Sequence, residues 1–481
     1  MDNRLPVGQN TTTYSYDPAS NLATVTYPNG LESQFTYDTL NRITAMNAAK
    51  ASYSYTLSPT GNRTGAVESS GRAVNWSYDG IYRLTNETIS LDPHSVNGSV
   101  GYGLDPVGNR ESQTSTIPGI GTGSFTYDPD DRLNTETYDA NGNTLTSGGK
   151  TFTYDFENRL KSMTAGSVAV TIQYDADGNR VAKTVNGVTT RYLVDELNPT
   201  GYAQVVEEVT AGAVTRQYTY GLQRINETQQ IANAWTPSFY GYDGGGSVRL
   251  LTDSTGTVTD TYDYDAWGNV LNTTGSTPNL YLFGAEQYDP DLGLYYLRAR
   301  WVDPITGRFL TRDTDTGDPK APATLHKYLY ANGDPVDFRD PSGHAAGAIA
   351  MPGAPPKGGD MAEYYELLQI SLRNATIVAA TVYTLNCFAV YEFTTQVGWL
   401  TDTPLGILNV CKGRRNKGNV TCVYKCYAHI PGTPNHASIG PFWGRATDTN
   451  CGKACATAWA QIGAQVAGMQ AIHCPIYGKC P

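Results

Sequence analysis

No cysteine precedes Cys387 in this chain of 481 residues, and methionine occurs only 6 times. The body of the protein must therefore hold together without disulfide staples or thiolate metal sites, and it is long enough to bury a core that does so. Charge is scarce as well: Asp, Glu, Lys and Arg make up 16% of the chain, with 34 basic against 45 acidic residues and a net charge of −11. That balance excludes a surface that grips nucleic acid throughout, and the 11% of aromatic residues excludes wholesale disorder. Long hydrophobic runs are nearly absent. The one stretch of note, residues 375–391 (ATIVAATVYTLNCFAVY), sits at the short limit for crossing a bilayer; it reads either as a buried helix or strand pair or as a membrane-active segment. The first thirty residues hold no apolar core of a secretory signal, so export is expected to depend on a module not present in this chain. HExxH, Walker and GxSxG patterns are missing too.

Abundant instead are glycine (50) and tyrosine (34), a vocabulary of turns and strands that excludes an all-helical protein. One theme recurs: a Tyr-Asp pair, a turn, then Asn-Arg or a similar pair. Copies read FTYDTLNRI from Phe35, WSYDGIYRL from Trp76, FTYDPDDRL from Phe125, FTYDFENRL from Phe152 and IQYDADGNR from Ile172. In each, aromatic and Thr residues alternate as a half-buried strand, and an Asp-x-x-Gly-Asn element supplies the left-handed positions of a tight hairpin turn. A lone hairpin cannot hide its aromatic face. Successive copies are therefore expected to stack edge to edge into one long sheet that curls into a spiral or barrel-like shell. Tyr would fill that sheet and Asp would accept backbone amides in the turn. Carbohydrate binding by exposed aromatics is one alternative, and calcium at Tyr174-Asp175-Ala176-Asp177-Gly178 another, although the Gly-Gly-x-Gly spacing of calcium rolls is lacking.

These repeats resemble the YD-repeat, or Rhs, family. The likeness sharpens from Tyr262 to His344, where YDYDAWGNVLNTTGSTPNLYLFGAEQYDPDLGLYYLRARWVDPITGRFLTRD and then KYLYANGDPVDFRDPSGH are similar to the family's Rhs-associated core. The resemblance covers residues 14–344 and implies a mainly β fold: a hairpin spiral or cocoon shell over 1–261, the core over 262–344, and behind it a variable toxin carried as cargo. Similar proteins sever their own chain after an Asp-Pro-x-Gly-hydrophobic sequence, using two aspartates and a neighbouring arginine. Carried over residue by residue, the resemblance implies Asp313 and Asp340 as the pair, Arg312 as the arginine, and the His344–Ala345 bond as the one cut. Such chemistry needs two carboxyls that cannot both ionise, one to polarise the carbonyl and one to activate water. The chain departs from the pattern twice. Its first site reads Asp313-Thr314-Asp315-Thr316-Gly317, which makes Asp315 a rival for the first role, and His344 stands where Leu is usual.

Beyond the cut, the charge inverts. From Ala345 onward ten Lys and Arg face six acids, a net +4, which leaves −15 for the residues before it. Opposite signs of this size attract at low salt. Residues 345–372 read as a Gly/Pro/Ala linker and a first helical segment, and 373–481 as a small, basic, Cys-rich α+β domain with a strand from Val420 and a helix over 451–469. Its eight cysteines (Cys387, Cys411, Cys422, Cys426, Cys451, Cys455, Cys474, Cys480) suit the disulfides of an exported domain. Zinc is the rival, on loose spacings without a C-x2-C knuckle, so no metal and no cofactor is assigned. The run CKGRRNK with Arg414 and Arg415, together with His429, His436 and His473, suggests a nuclease-like site in which cations hold phosphate and a histidine moves protons. A solvated loop and structural histidines are the competing reading.

The sequence thus points to part of an Rhs-type polymorphic toxin, secreted or at the cell surface. Its expected partners are its own C-terminal domain as cargo, an immunity protein, and nucleic acid for the freed domain. The alternative is a cell-surface or wall-associated adhesion protein that binds carbohydrate and has no active effector. A relic fragment too short to close a shell is the third reading.

Overall fold

The computed structural model describes residues 11–48, 50–319 and 322–349, and the backbone of Val420–His429, Ser438–Asp448 and Gln470–His473. The chain divides into two compact units, Met1–Ser371 and Leu372–Pro481.

Two antiparallel meanders build the first unit, one of eleven strands from Thr13–Tyr16 to Gly123–Ser124 and one of fourteen from Thr137–Tyr138 to Val270–Thr274. Every hydrogen-bonded neighbour in them is also the next strand in sequence, as stacked hairpins require. The shell is mainly β, but it is two sheets and not the single one expected. The break falls on the FTYDPDDRL copy, where the Phe125 amide still donates to Glu111 O of the first sheet and the rest of the segment forms the isolated Tyr127–Leu133 bridge. There the amide of Asn134 donates to Thr126 O and that of Glu136 to Leu133 O, which folds the segment on itself and withdraws it from the ladder.

The repeat theme has a local cause. Strands end on the Tyr of the pair, as in Glu32–Tyr37, Ala73–Tyr78, Lys150–Tyr154 and Val168–Tyr174. The Asp opens the turn: Asp38 Oδ1 accepts from the amides of Leu40 and Arg42 at 2.9 and 3.0 Å. Asp79, Asp128, Asp155 and Asp175 do the same for the residues two and four positions on. The third residue after the Asp takes a left-handed φ, 59° at Asn41 and 87° at Gly178, which is why Asn and Gly recur there. The Tyr works between hairpins. The hydroxyls of Tyr37, Tyr78, Tyr174, Tyr220 and Tyr264 donate to the carbonyls of Leu22, Arg63, Leu160, Val205 and Val248, 14 to 16 residues earlier. Each such bond contributes about 1 kcal/mol net, and the repetition adds them along the sheet.

Contacts across the sheets are polar and apolar together. Tyr55 Oη accepts from the Gly244 amide at 2.7 Å, Arg63 Nη2 donates to Gly244 O at 2.7 Å, and Glu87 Oε2 accepts from the Ala266 amide at 2.9 Å. One buried cluster unites Val25, Met46, Val74 and Val100 of the first sheet with Phe239, Tyr240, Val248 and Leu251 of the second. The core expected over 262–344 begins inside the strand Val258–Tyr264, so the repeat sheet runs on to Thr274. Four short strands follow as a sheet of their own: Gln287–Asp289, Leu294–Leu297, Arg300–Asp303 and Arg308–Phe309. Leu292, Leu294 and Trp301 pack there on Phe152, Leu160, Met163 and Val170 of the fourteen-stranded sheet.

In the second unit the backbone forms an antiparallel sheet in the order Ser438–Asp448, Val420–His429, Gln470–His473. The strand expected from Val420 is present. The helices expected in the linker region and over 451–469, and the segment 375–391, lie outside the described residues. Among the described residues no helix is long and apolar enough to cross a membrane.

Candidate functional site

The tight turn between Leu294–Leu297 and Arg300–Asp303 supports a loop formed by residues 340–345. The amide of Ala299 donates to Ser342 O at 3.2 Å, Arg298 Nη1 to Pro341 O at 2.5 Å, and Arg300 Nε to Gly343 O. Gly343 has φ of +76°, and a Cβ there would collide with Leu297 O and lie 2.9 Å from the Arg300 nitrogen. Only glycine lets the loop sit this close. Beyond the loop, Gly347–Ala348 pairs with Phe338–Arg339 and closes it from the other end.

Asp340 is 2% exposed. Its Oδ1 accepts from Ser342 Oγ and from the amides of His344 and Ala345, each at 3.0 Å. Its Oδ2 lies 3.4 Å from Arg300 Nη2, and the same nitrogen is 2.6 Å from Asp313 Oδ2. Arg300 is held besides by Lys327 O, 3.2 Å from Nη1, and by the Phe309 ring, whose centroid is 3.6 Å from the guanidinium carbon. Asp313 Oδ1 accepts from the Asp315 amide at 2.9 Å and faces His344 Nδ1 at 3.5 Å.

Charge follows from this geometry. Burial raises the Asp313 carboxyl, but the hydrogen bond from His344 and the charge of Arg300 outweigh it, so the group ends below the usual range. His344 is held above its ordinary value, first by its hydrogen bond to Asp313. Burial lowers Arg300 against the pull of the two carboxylates. Asp340 thus does what the repeat aspartates do, accepting amides in a turn. Unlike the half-buried Asp38, Asp79, Asp128, Asp155 and Asp175, it is buried, and the second carboxyl on its guanidinium comes from 27 residues away and not from its own turn. One of the amide nitrogens on Asp340 Oδ1, that of Ala345, belongs to the His344–Ala345 bond.

Asp313 and Asp340, 27 residues apart in sequence, are therefore brought together. Arg312 is not with them. It is exposed, and its side chain lies against the turn at Gly142, where an added Cβ would meet Arg312 Cβ at 3.4 Å. The arginine between the carboxyls is Arg300, because adjacency to Asp313 along the chain does not put two side chains on one face. A pair of arginines astride a turn in the apolar run LYYLRARW was the available signal. Asp315 is turned to its own loop, with Oδ1 accepting from the Gly317 amide at 2.8 Å. His326, which no motif singles out, is buried, and its pKa is pushed down to about 3 by desolvation. It stays neutral, with Nδ1 accepting from the Tyr328 and Leu329 amides and Nε2 2.9 Å from Asn109 Oδ1.

Carboxylate oxygens of Asp175, Asp177 and Glu196 lie within 4.8 Å of one another. Asp175 Oδ1 is taken up by turn amides and Glu196 Oε1 by Asn179 Nδ2. In the second unit, His429 ends one strand opposite Gln470, and His473 lies opposite Tyr427 on the neighbouring strand. Cys422 and Cys426 fall on the strand Val420–His429. Arg414, Arg415, His436, Cys387, Cys411, Cys451, Cys455, Cys474 and Cys480 lie outside the described residues.

Residues 94–336, just over half of the chain, match the family model for the Teneurin YD-shell, and residues 16–52 match the RHS repeat. The chain belongs to the Rhs/YD-repeat family. Similar members include the tRNA nuclease WapA of Bacillus subtilis (strain 168), 33% identical over 370 residues that cover 65% of this chain and 16% of that protein. Another is Double-stranded DNA deaminase toxin A of Burkholderia cenocepacia (strain H111), 29% identical over 256 residues, 47% of this chain and 17% of that one. The chain spans about a sixth of the length of these relatives. The crystal structure of TcdB2-TccC3 without its hypervariable C-terminal region superposes with a TM-score of 0.56 at 18% identity, over 69% of this chain and 19% of that one. That likeness extends the family's YD-repeat shell fold to this chain.

Proposed function

We propose that this chain comprises the shell, the cutting core and the effector of an Rhs-type polymorphic toxin, and that it severs itself between His344 and Ala345. Water attacks the His344 carbonyl carbon and gives a proton to Asp313, the carboxylate kept ionised by Arg300 and His344. The C–N bond breaks as a proton from the Asp340 carboxyl passes to the Ala345 nitrogen, which already lies on Oδ1 at 3.0 Å. Hydrolysis by a carboxyl pair needs one ionised member as base and one protonated member as acid, so the cut requires a proton on Asp340 while Asp313 stays ionised. The observation that carries the reading is the single Arg300 Nη2 shared by Asp313 and Asp340 beside that amide.

The toxin relatives support an effector role for the residues behind the cut. Residues 345–481 would be a basic domain acting on nucleic acid, carried as cargo, restrained by an immunity protein in the producing cell, and exported to the surface or beyond. Intact-mass measurement tests the cut: wild type should yield a piece of 344 residues and one of 137, and Asp340→Asn should stay at full length. A wild-type chain that remains whole refutes it. Expression of residues 345–481 in a bacterial cytoplasm tests the effector, since a harmless tail favours the adhesion alternative.

A further inference from the structure

The residue before the cut is anchored at two points of the same site. Its amide donates to Asp340 Oδ1 at 3.0 Å and faces Ser342 Oγ at 3.1 Å, while its imidazole Nδ1 stands 3.5 Å from Asp313 Oδ1. With Arg300 Nη2 2.6 Å from Oδ2, both oxygens of Asp313 are engaged by a group able to carry positive charge. The imidazole is 46% exposed, so it exchanges protons freely with solvent, whereas the two carboxyls are largely enclosed. A leucine at this position would leave Asp313 with Arg300 alone.

We propose that His344 is a positioning residue for its own cleavage: docked on Asp313, its charge state sets how strongly that aspartate draws a proton from water, so the scissile residue governs the rate of the cut. This rests on the self-cleavage reading above. With the imidazole protonated, Asp313 faces two cations and is a poor base; with it neutral, one cation is gone and the carboxylate regains basicity. The charged groups that face the imidazole are Asp313 from the segment after Arg308–Phe309, Arg300 from its own strand, and Asp340 from the loop. Asp313 and Asp340 favour its protonated form and Arg300 opposes it, with a net upward displacement. The change therefore falls above the usual imidazole value of about 6.5. The bonds made and broken are those of the hydrolysis already described, with no other reactant.

The full-length chain, made by cell-free translation at low pH and then shifted to a series of higher values, gives the test, with the 344-residue piece followed over time. Wild type should be cut about tenfold faster above the imidazole titration than below it, the effect of one neighbouring charge worth about one unit of carboxyl basicity. His344→Leu and His344→Gln should be cut at the fast rate with no slope across that window, and a merely structural histidine would not produce that pH signature. A slope that persists in both variants, a flat wild type, or loss of cutting in both variants overturns the inference, because an uncharged side chain should leave Asp313 the stronger base. Absence of cutting in wild type at every pH strikes at the self-cleavage reading instead.

Discussion

Replacing Arg300 by glutamine removes the one cation that Asp313 and Asp340 share. Its guanidinium is 5% exposed and contacts Asp313 Oδ2, Asp340 Oδ2, Gly343 O, Lys327 O and the face of Phe309. Breaking a buried pair by deleting one partner costs about 3–5 kcal/mol, because the charge left behind is uncompensated. Here His344 still faces Asp313, and the cost should lie near the lower figure. A β body of roughly 340 residues unfolds with an entropy of about 0.7 kcal/mol/K, so about 3 kcal/mol lowers Tm by roughly 4 °C. Cutting should fall by two orders of magnitude or more, since Asp313 loses the cation at its Oδ2 and the loop loses its hold on Gly343 O. Calorimetry together with intact-mass analysis reads both effects. Adding Asp313→Asn to Arg300→Gln should restore at least about 1 kcal/mol, since a neutral group no longer needs the cation. An Arg300→Gln protein that melts and cuts like wild type, or a double variant in which the two losses simply add, would show that the shared guanidinium does not organise this site.

Other expectations follow from single contacts. Gly343→Ala drives a methyl group into Leu297 O, so the loop should be displaced and cutting lost, with a lowered Tm; normal cutting would mean that the loop need not sit there. Tyr78→Phe deletes the hydroxyl that donates to Arg63 O at 2.6 Å and should cost about 1–2 kcal/mol in denaturant titration, whereas Tyr82→Phe, on an exposed side chain, should cost little. Asp334 is 1% exposed, and burial followed by the charge of Asp337 pushes its carboxyl up to about 8. The folded state thus keeps a proton that the unfolded chain releases near pH 4, so this contribution is full in acid and is lost as pH rises through 8. Tm should fall between pH 5.5 and 8.5 and the fall should flatten in Asp334→Asn; a wild-type Tm that climbs over that window contradicts the burial argument.

Much of the candidate site is legible in the sequence. The Asp313 and Asp340 pair comes from motif resemblance, and the geometry brings the two together. Arg312 comes from the same source and sits elsewhere, because the motif records order along the chain and not the side from which a guanidinium arrives. Arg300 reaches the pair from a different hairpin. Nothing in local spacing tells that a strand arginine will be folded over 40 residues of sequence onto Asp340. The break between the two sheets is equally hidden: the FTYDPDDRL copy reads like its neighbours, and only the bonds it makes within its own loop remove it from the ladder.

What the sequence determined by itself is the hairpin. Asp at the turn, Asn or Gly three residues on, and Tyr at the strand end are short-range demands of hydrogen bonding and backbone sterics, met within a span of about 20 residues wherever the repeat occurs. Tertiary structure decided which carboxyls lose their water and which cation they share. Those properties depend on groups that meet only after the strands have stacked, so a buried Asp340 and a half-buried Asp38, alike in their turns, end with different chemistry.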